Sequence, residues 1–252
     1  MSEKVTLLLD SDIIAYKFAS TAQKNFDWNG DGQVVSDVRG IEEVTPEVAA
    51  YIEEWKQKAG ADEVIVCLSC PTAENFRYGI LPSYKHNRVD TVKPVLLNPI
   101  KDWMRVMYPV FERPTLEADD VMGILSTHQF LVEGKKIIFS EDKDMKTIPG
   151  WLLNPTKDTK PRYISEDQAD YFHLYQTLVG DTTDGYKGCP GVGPVKAEKI
   201  LAVECSFYAV VLAFESKGLP REDALVQARV ARICRFTDYD FTIKEVRPWL
   251  PK

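Results

Sequence analysis

The chain has 252 residues, 44% hydrophobic and 27% charged, which is enough for a sizeable core in one large domain or a domain with an appendage. No uncharged stretch reaches about 18 residues and no basic leader precedes an apolar run, so a membrane span is excluded and an intracellular protein is expected. Acids outnumber bases 38 to 31, which speaks against a nucleic-acid partner unless the acids are gathered in a metal site.

Residues 5–9 form a short apolar run that ends in Asp10, Ser11 and Asp12. Residues 64–68 and 137–139 repeat the pattern, and each run predicts a buried parallel strand. Between the first two, residues 45–59 predict a helix, with Thr45 as cap, Pro46 at the first helical position and Gly60 as stop. Strands alternating with helices make a mostly parallel α/β sheet, whose ligands bind beyond the carboxyl ends of the strands. Asp10 stands at one such end, and Ser140, Glu141, Asp142, Lys143 and Asp144 at another.

Further along, Ser165 and Gln168 form a capping box for a helix that carries Phe172, Tyr175 and Leu178. Glycine and proline cluster in residues 188–194, and helical patterns follow at 195–204, 206–217 and 221–235. The expected division is an α/β domain over 1–174 and a helical module over 175–252. Five cysteines, an odd number at irregular spacing, do not make a disulfide framework. Cys67 and Cys70 lack the second pair a zinc site needs, so buried thiols are the expectation.

Each acidic group is unremarkable alone. Glu117, Asp119 and Asp120 open a helix, where acids stabilise the dipole, and Asp181 and Asp184 fit a solvated turn. Four such clusters meeting in space would repel one another without a cation. Carboxylates with no attendant histidine suit Mg²⁺ or Mn²⁺ rather than zinc, and two such ions about 4 Å apart support phosphodiester hydrolysis. Residues 75–88 add Arg77, Lys85, Arg88 and three aromatics, a mixture suited to phosphates and bases. Gly191, Gly193 and Lys196 lie between helical segments, where backbone N–H groups can meet a phosphate.

In order and spacing these pieces resemble the 5′-nuclease (flap endonuclease) superfamily, most closely the small 5′-exonucleases of short-tailed bacteriophages. They are Leu9 to Asp12, Phe76-Arg77 with Pro82 to Arg88, Leu116 to Gly123, Ser140 to Asp144, and Gly180 to Gly185 with the glycine hairpin. The resemblance implies a metal-dependent 5′→3′ exonuclease acting on duplex DNA at a 5′ end, nick or flap, with RNA–DNA hybrids as a further substrate. It implies one ion held by Asp10, Glu117, Asp119, Asp142 and Asp144, and a second completed by Asp120, Asp181 and Asp184. Lys85 and Arg88 would hold the scissile phosphate, Arg77 and Tyr84 would contact substrate, and residues 191–196 would form a helix-hairpin-helix-like turn on the duplex with K⁺. Ser69 and Cys70 stand where the family carries another carboxylate, and residues 89–103 are short for a helical arch, which favours exonucleolytic attack over flap cleavage. A flap endonuclease, a PIN-type ribonuclease and a non-catalytic DNA-binding module are the alternatives.

Overall fold

Leu7, Leu8 and Leu9 are all fully buried, a pattern a strand sustains only between two covered faces, and β1 (Val5–Asp10) accordingly runs through the middle of a six-stranded sheet. The structure is a computed structural model and describes residues 3–26, 35–88 and 91–251. After β1 come α1 (Ser11–Thr21), the paired strands β2 (Gln23–Phe26) and β3 (Val35–Val38), α2 (Ile41–Ala59) and β4 (Glu63–Cys67). Then follow α3 (Leu97–Met107), β5 (Val110–Phe111), α4 (Ala118–Thr127), β6 (Lys135–Phe139), β7 (Gly150–Leu153) and β8 (Arg162–Ile164). The rest is helical, with α5 (Glu166–Val179), α6 (Pro194–Val203), α7 (Phe207–Glu215) and α8 (Arg221–Ala231), before the short pair β9 (Tyr239–Asp240) and β10 (Glu245–Val246).

The sheet order is β5-β4-β1-β6-β7-β8, parallel throughout except for the antiparallel β7–β8 pair. One face packs Leu7, Leu9 and Phe139 against α1, α2 and α3. The other packs Leu8, Ile138 and Leu152 against α4, whose Val121, Met122 and Leu125 are buried. A separate apolar cluster, with Leu178, Leu201, Val210 and Phe214 at its centre, joins α5 to α6, α7 and α8.

The expected start of the 45–59 helix is corrected by four residues. α2 begins at Ile41, with Glu42 and Glu43 in its first turn where acids favour the dipole, and Pro46 lies inside the helix. The capping box of Ser165 and Gln168 forms as expected. Residue 174 falls within α5, which continues to Val179, and the chain beyond α8 returns to the sheet layer. That return is close: a Cβ on Gly123 of α4 would collide with the Cys234 carbonyl.

Candidate active site

The parallel register pairs Leu9 of β1 with Phe139 of β6, so the next residues, Asp10 and Ser140, leave the sheet side by side. Ser140 Oγ donates to Asp10 Oδ2 at 2.6 Å and accepts from the Asp142 amide at 3.0 Å. Asp142 in turn caps the short turn Lys143–Thr147, its Oδ1 accepting from the Asp144 amide at 2.7 Å. Asp144 Oδ1 accepts from Gln176 Nε2 of α5 at 2.6 Å, which ties the acid to the helical module. From β4, on the other side of β1, Ser69 Oγ accepts from the Ala118 amide at 2.9 Å and pins the start of α4 to the same rim. That start carries Glu117 as N-cap and Asp119 in the first turn.

Electrostatics mark these acids as a crowd. Burial pushes the Asp10 carboxyl up to about 7, with Asp12 and Asp142 adding to it against the hydrogen bond from Ser140. Burial, then Asp142, Asp181 and Asp184, push Asp144 to about 7. Asp119 is held well above the usual carboxylate range by its recessed position and by Asp10, Asp142 and Glu117. In all three burial is the largest cause, and the neighbouring acids add to it. Glu117 goes the other way: burial opposes its ionisation, but Lys85 and Arg77 outweigh burial and lower it to about 2.

Lys85 and Arg88 face the acids from the loop after β4. Lys85, whose φ of 50° is unusual for a side-chain-bearing residue, places Nζ 2.6 Å from Glu117 Oε1 and 3.8 Å from Asp184 Oδ2. Arg88 Nη2 lies 2.7 Å from Asp184 Oδ1, and burial raises the Asp184 carboxyl in spite of both cations. Asp181 pairs with Lys143 at 2.7 Å and accepts from the amides of Thr183 and Asp184; burial is outweighed by Lys143 and its carboxyl is lowered. Asp12 lies 2.6 Å from Lys101 Nζ and accepts from the Ser69 amide at 3.3 Å.

Three of the expected site residues, Arg77, Asp120 and Tyr84, are held in buried contacts. Arg77, 2% exposed, forks onto Asp120 at 2.7 and 2.8 Å and donates to the Val230 and Arg232 carbonyls, so its guanidinium is turned inward. Asp120 is fully buried and also accepts from the Cys234 and Glu117 amides, which occupies the oxygens expected for a second ion. Tyr84 is 2% exposed, packs edge-on to Tyr78, and donates its hydroxyl to Glu117 at 2.8 Å, so its ring is covered in this arrangement.

The glycine hairpin lies beyond α5. Gly191 has φ 71°, Gly193 precedes Pro194 at the first turn of α6, and Lys196 Nζ donates to the Gly191 carbonyl at 2.7 Å. The Lys196 ammonium thus already sits on the Gly191 carbonyl. Of the cysteines, Cys67, Cys70, Cys189 and Cys234 are buried free thiols, with burial pushing Cys70 up to about 11, whereas Cys205 is exposed, contrary to expectation.

Sequence reasoning missed Gln176, Lys101 and the Lys143–Asp181 pair. Gln176 had a signal in retrospect, a polar residue on the buried side of α5 beside Leu178, but nothing local pointed to Asp144, 32 positions away. Among the described residues no group of three or more His, Cys, Asp or Glu side chains stands ready to hold a metal ion. Lys85, Lys101, Lys143 and Gln176 each draw a carboxylate aside. What the rim offers is a set of carboxylate oxygen donors, some raised and some lowered in pKa.

Residues 5–159 match the family described as 5′-3′ exonuclease, N-terminal resolvase-like domain, and the chain belongs to that family. It is therefore a nuclease. It is 28% identical to the exodeoxyribonuclease of Enterobacteria phage T3 across 99% of this chain and 94% of the relative, and 28% identical to the exonuclease of Escherichia phage T7 over the same shares. It is 30% identical to a 5′-3′ exonuclease of Aquifex aeolicus over 72% of this chain and 68% of that one. In fold it is similar to the bacteriophage T5 flap endonuclease, solved with DNA and metal ions, at a TM-score of 0.68 and 14% identity over 90% of this chain and 89% of the other.

Proposed function

We propose that this nuclease is a divalent-metal-dependent 5′→3′ exonuclease that hydrolyses phosphodiester bonds from the 5′ ends of duplex DNA, with RNA in RNA–DNA hybrids as a second substrate. The observation that carries the reading is the rim itself, where Asp10 and Asp144 stand at the carboxyl ends of β1 and β6, Asp119 stands in the first turn of α4, and Lys85 and Arg88 pair with Glu117 and Asp184 beside them. The T3 relative is an exodeoxyribonuclease by name and the T5 structure contains DNA and metal ions, which supports DNA as substrate and a metal as cofactor.

The donor set fits a hard cation in charge and chemistry, because all its ligands are oxygens and its excess negative charge needs compensation. Asp10, Glu117, Asp119, Asp142 and Asp144 would hold one Mg²⁺ or Mn²⁺, and Asp181 and Asp184 a second; Asp120 is excluded by its lock on Arg77. Such ions, when bound, generate hydroxide near neutral pH and stabilise the leaving oxygen. Lys85 and Arg88 orient the scissile phosphate by charge from the opposite wall. Ser140 and Gln176 fix the acids in place through Asp10 and Asp144. Gly191, Gly193 and Lys196 are read as the contact to the duplex backbone, so residues 175–252 serve as the gripping module and 1–174 as the catalytic one.

Among the described residues, the chain between Gly79 and Leu97 holds turns, including the 3-10 turn His86–Arg88, but no α-helix, and this favours exonucleolytic attack over cleavage of a threaded flap. No described helix is long and apolar enough to cross a membrane, and the likeness to phage exonucleases supports action in the cytoplasm of a host cell. The test is product analysis on 5′-labelled blunt, nicked and flapped duplexes with and without Mg²⁺. Short labelled products from blunt and nicked ends, formed only with Mg²⁺, are expected; cleavage confined to flap junctions would favour the endonuclease, and cleavage in EDTA would remove the metal from the account.

A further inference from the structure

The acidic rim has a basic neighbour. Asp144 and Lys146 stand two positions apart in the turn Lys143–Thr147, and both meet α5: Asp144 Oδ1 accepts from Gln176 Nε2 at 2.6 Å, and Lys146 Nζ lies 5.2 Å from the centroid of the Phe172 ring. Phe172 and Gln176 are one turn apart, so the two contacts are rungs about 6 Å from each other along the helix, at about 1.5 Å per residue. The chain fixes their order. The glycine hairpin is anchored at the far end of α5, where the Cys189 amide donates to the Leu178 carbonyl at 2.8 Å, so the Phe172 rung lies across Asp144 from Gly191 and Lys196.

A hollow of about 630 Å³ opens at this second rung, with Lys146, Arg162, Gln168 and Phe172 among its walls. The register of the sheet accounts for the second cation. Arg162 pairs with Leu152, one residue before the end of β7, and so shares the face on which Leu152 packs toward α4. β8 therefore starts at the carboxyl edge of the sheet, the same edge that carries the turn with Lys146.

Positive charge is in excess here. Of the charged groups acting on Lys146, Arg162 and then Lys157 are the strongest, ahead of the acids Asp158 and Asp144. Neither Lys146 nor Lys157 forms an ion pair with a described residue. Arg162 is answered only in part: Asp158 Oδ2 lies 3.3 Å from its Nε, yet that nitrogen is buried without a hydrogen-bond partner, and the same oxygen accepts from the Asn154 amide at 2.9 Å. Asp167 is the acid of the lining and is outnumbered there by Lys146 and Arg162. Unpaired cations at a concave, half-buried wall favour an anion.

We infer that Lys146, Lys157 and Arg162 bind the 5′-terminal phosphate of the strand being degraded, one nucleotide beyond the scissile bond. The inference rests on the proposed exonuclease reading, which sets the scissile phosphate at the acids and the duplex at Gly191 and Lys196. Across the rim from the duplex lies the departing 5′ nucleotide, and the anion it carries farthest from the duplex is its 5′ phosphate. The rungs are about 6 Å apart, a step one nucleotide can span, since its rise in a stacked duplex is already about 3.4 Å. A phosphate monoester carries about −1.5 to −2 charges near neutral pH, more than the single charge of a backbone diester, so a group of cations selects an end over an internal phosphate.

Fluorescence anisotropy tests this with two blunt duplexes that differ only in carrying a 5′ phosphate or a 5′ hydroxyl, in Mg²⁺ and in an Asp119→Asn background that is expected not to cleave. The background protein should hold the 5′-phosphorylated duplex at least about fivefold more tightly. Adding Lys146→Gln and Lys157→Gln together should remove that preference, whereas adding Lys196→Gln should weaken both duplexes and leave the preference as it was. Moving the phosphate to the 3′ ends should give no gain. The proposal is overturned by a background protein that does not distinguish the two ends, by a preference kept in the double lysine variant, or by an equal gain from a 3′ phosphate. Absence of binding to either duplex overturns the nuclease reading with it; binding without a 5′-phosphate preference overturns this proposal alone.

Discussion

Arg77 and Asp144 show how far charge alone can mislead. In the sequence both are ionisable residues in motifs, yet one is locked into the interior and the other sits in the anionic rim. Arg77→Met strips the fork from the fully buried Asp120 and leaves an unpaired charge, which should cost about 3–5 kcal/mol in denaturant unfolding. Arg88→Met breaks a partly exposed pair and should cost under about 1 kcal/mol. An Arg77→Met protein as stable as the parent but weakened only in DNA binding would restore the substrate role. For Asp144→Asn the expectation is a fall in cleavage of at least about 100-fold together with a gain in metal-free stability. The sign follows from a folded pKa near 7 against a normal unfolded value near 3.8: the native state is favoured below about 3.8, and that advantage disappears as pH rises through 7. The gain from Asn should therefore be seen in melts at pH 8 in EDTA and vanish near pH 4; a loss of stability at pH 8 would refute the crowding.

At the scale of elements, β1, β4 and β6 were legible because a strand buried on both faces is a continuous apolar run, and the polar residues after each run mark its carboxyl end. β5, with two residues, and β8, with three, carry too little pattern to read. The start of α2 was misplaced because Pro46 suits a first turn, but the acids of residues 42 and 43 supplied that turn earlier. The acids of the rim were legible as residue types, whereas the interior partners of Arg77, Asp120 and Tyr84 were not, since Arg77 meets Val230 across 153 positions and no local pattern records that. α5 gives a pH prediction of its own. His173, buried with Nε2 2.8 Å from the Ala228 carbonyl, is lowered to about 3 from an ordinary 6.5, so the unfolded chain takes up a proton that the native chain refuses. Its contribution is complete above 6.5 and is lost as pH falls toward 3. The raised Asp10 and Asp144 act oppositely between about 4 and 7, so the difference between parent and His173→Phe is the quantity to follow. Urea midpoints at pH 7.5 and 5 should show the parent losing more than the variant; equal losses would mean that His173 protonates in the fold.

Across the whole molecule, the helical module is not an appendage on a tether. Arg77 donates to the carbonyls of Val230 and Arg232, Asp120 accepts from the Cys234 amide, and Gln176 holds Asp144, so the acidic rim and the helices share buried and part-buried polar bonds. Unfolding followed by tryptophan fluorescence and by far-ultraviolet circular dichroism should give coincident urea curves, as one cooperative unit requires, and a separate early transition would contradict the coupling. The coupling also bears on the proposed function, because a duplex held near Gly191 and Lys196, as proposed, would stand in a fixed relation to Asp144. The account stands or falls on whether the rim gathers divalent ions, and the most direct measurement is anomalous diffraction from crystals soaked in Mn²⁺. Peaks among the carboxylates of Asp10, Asp119, Asp142 and Asp144 in the parent, lost in Asp119→Asn, are the predicted result; a rim without anomalous density at saturating Mn²⁺, in crystals of protein that cleaves DNA, would contradict it.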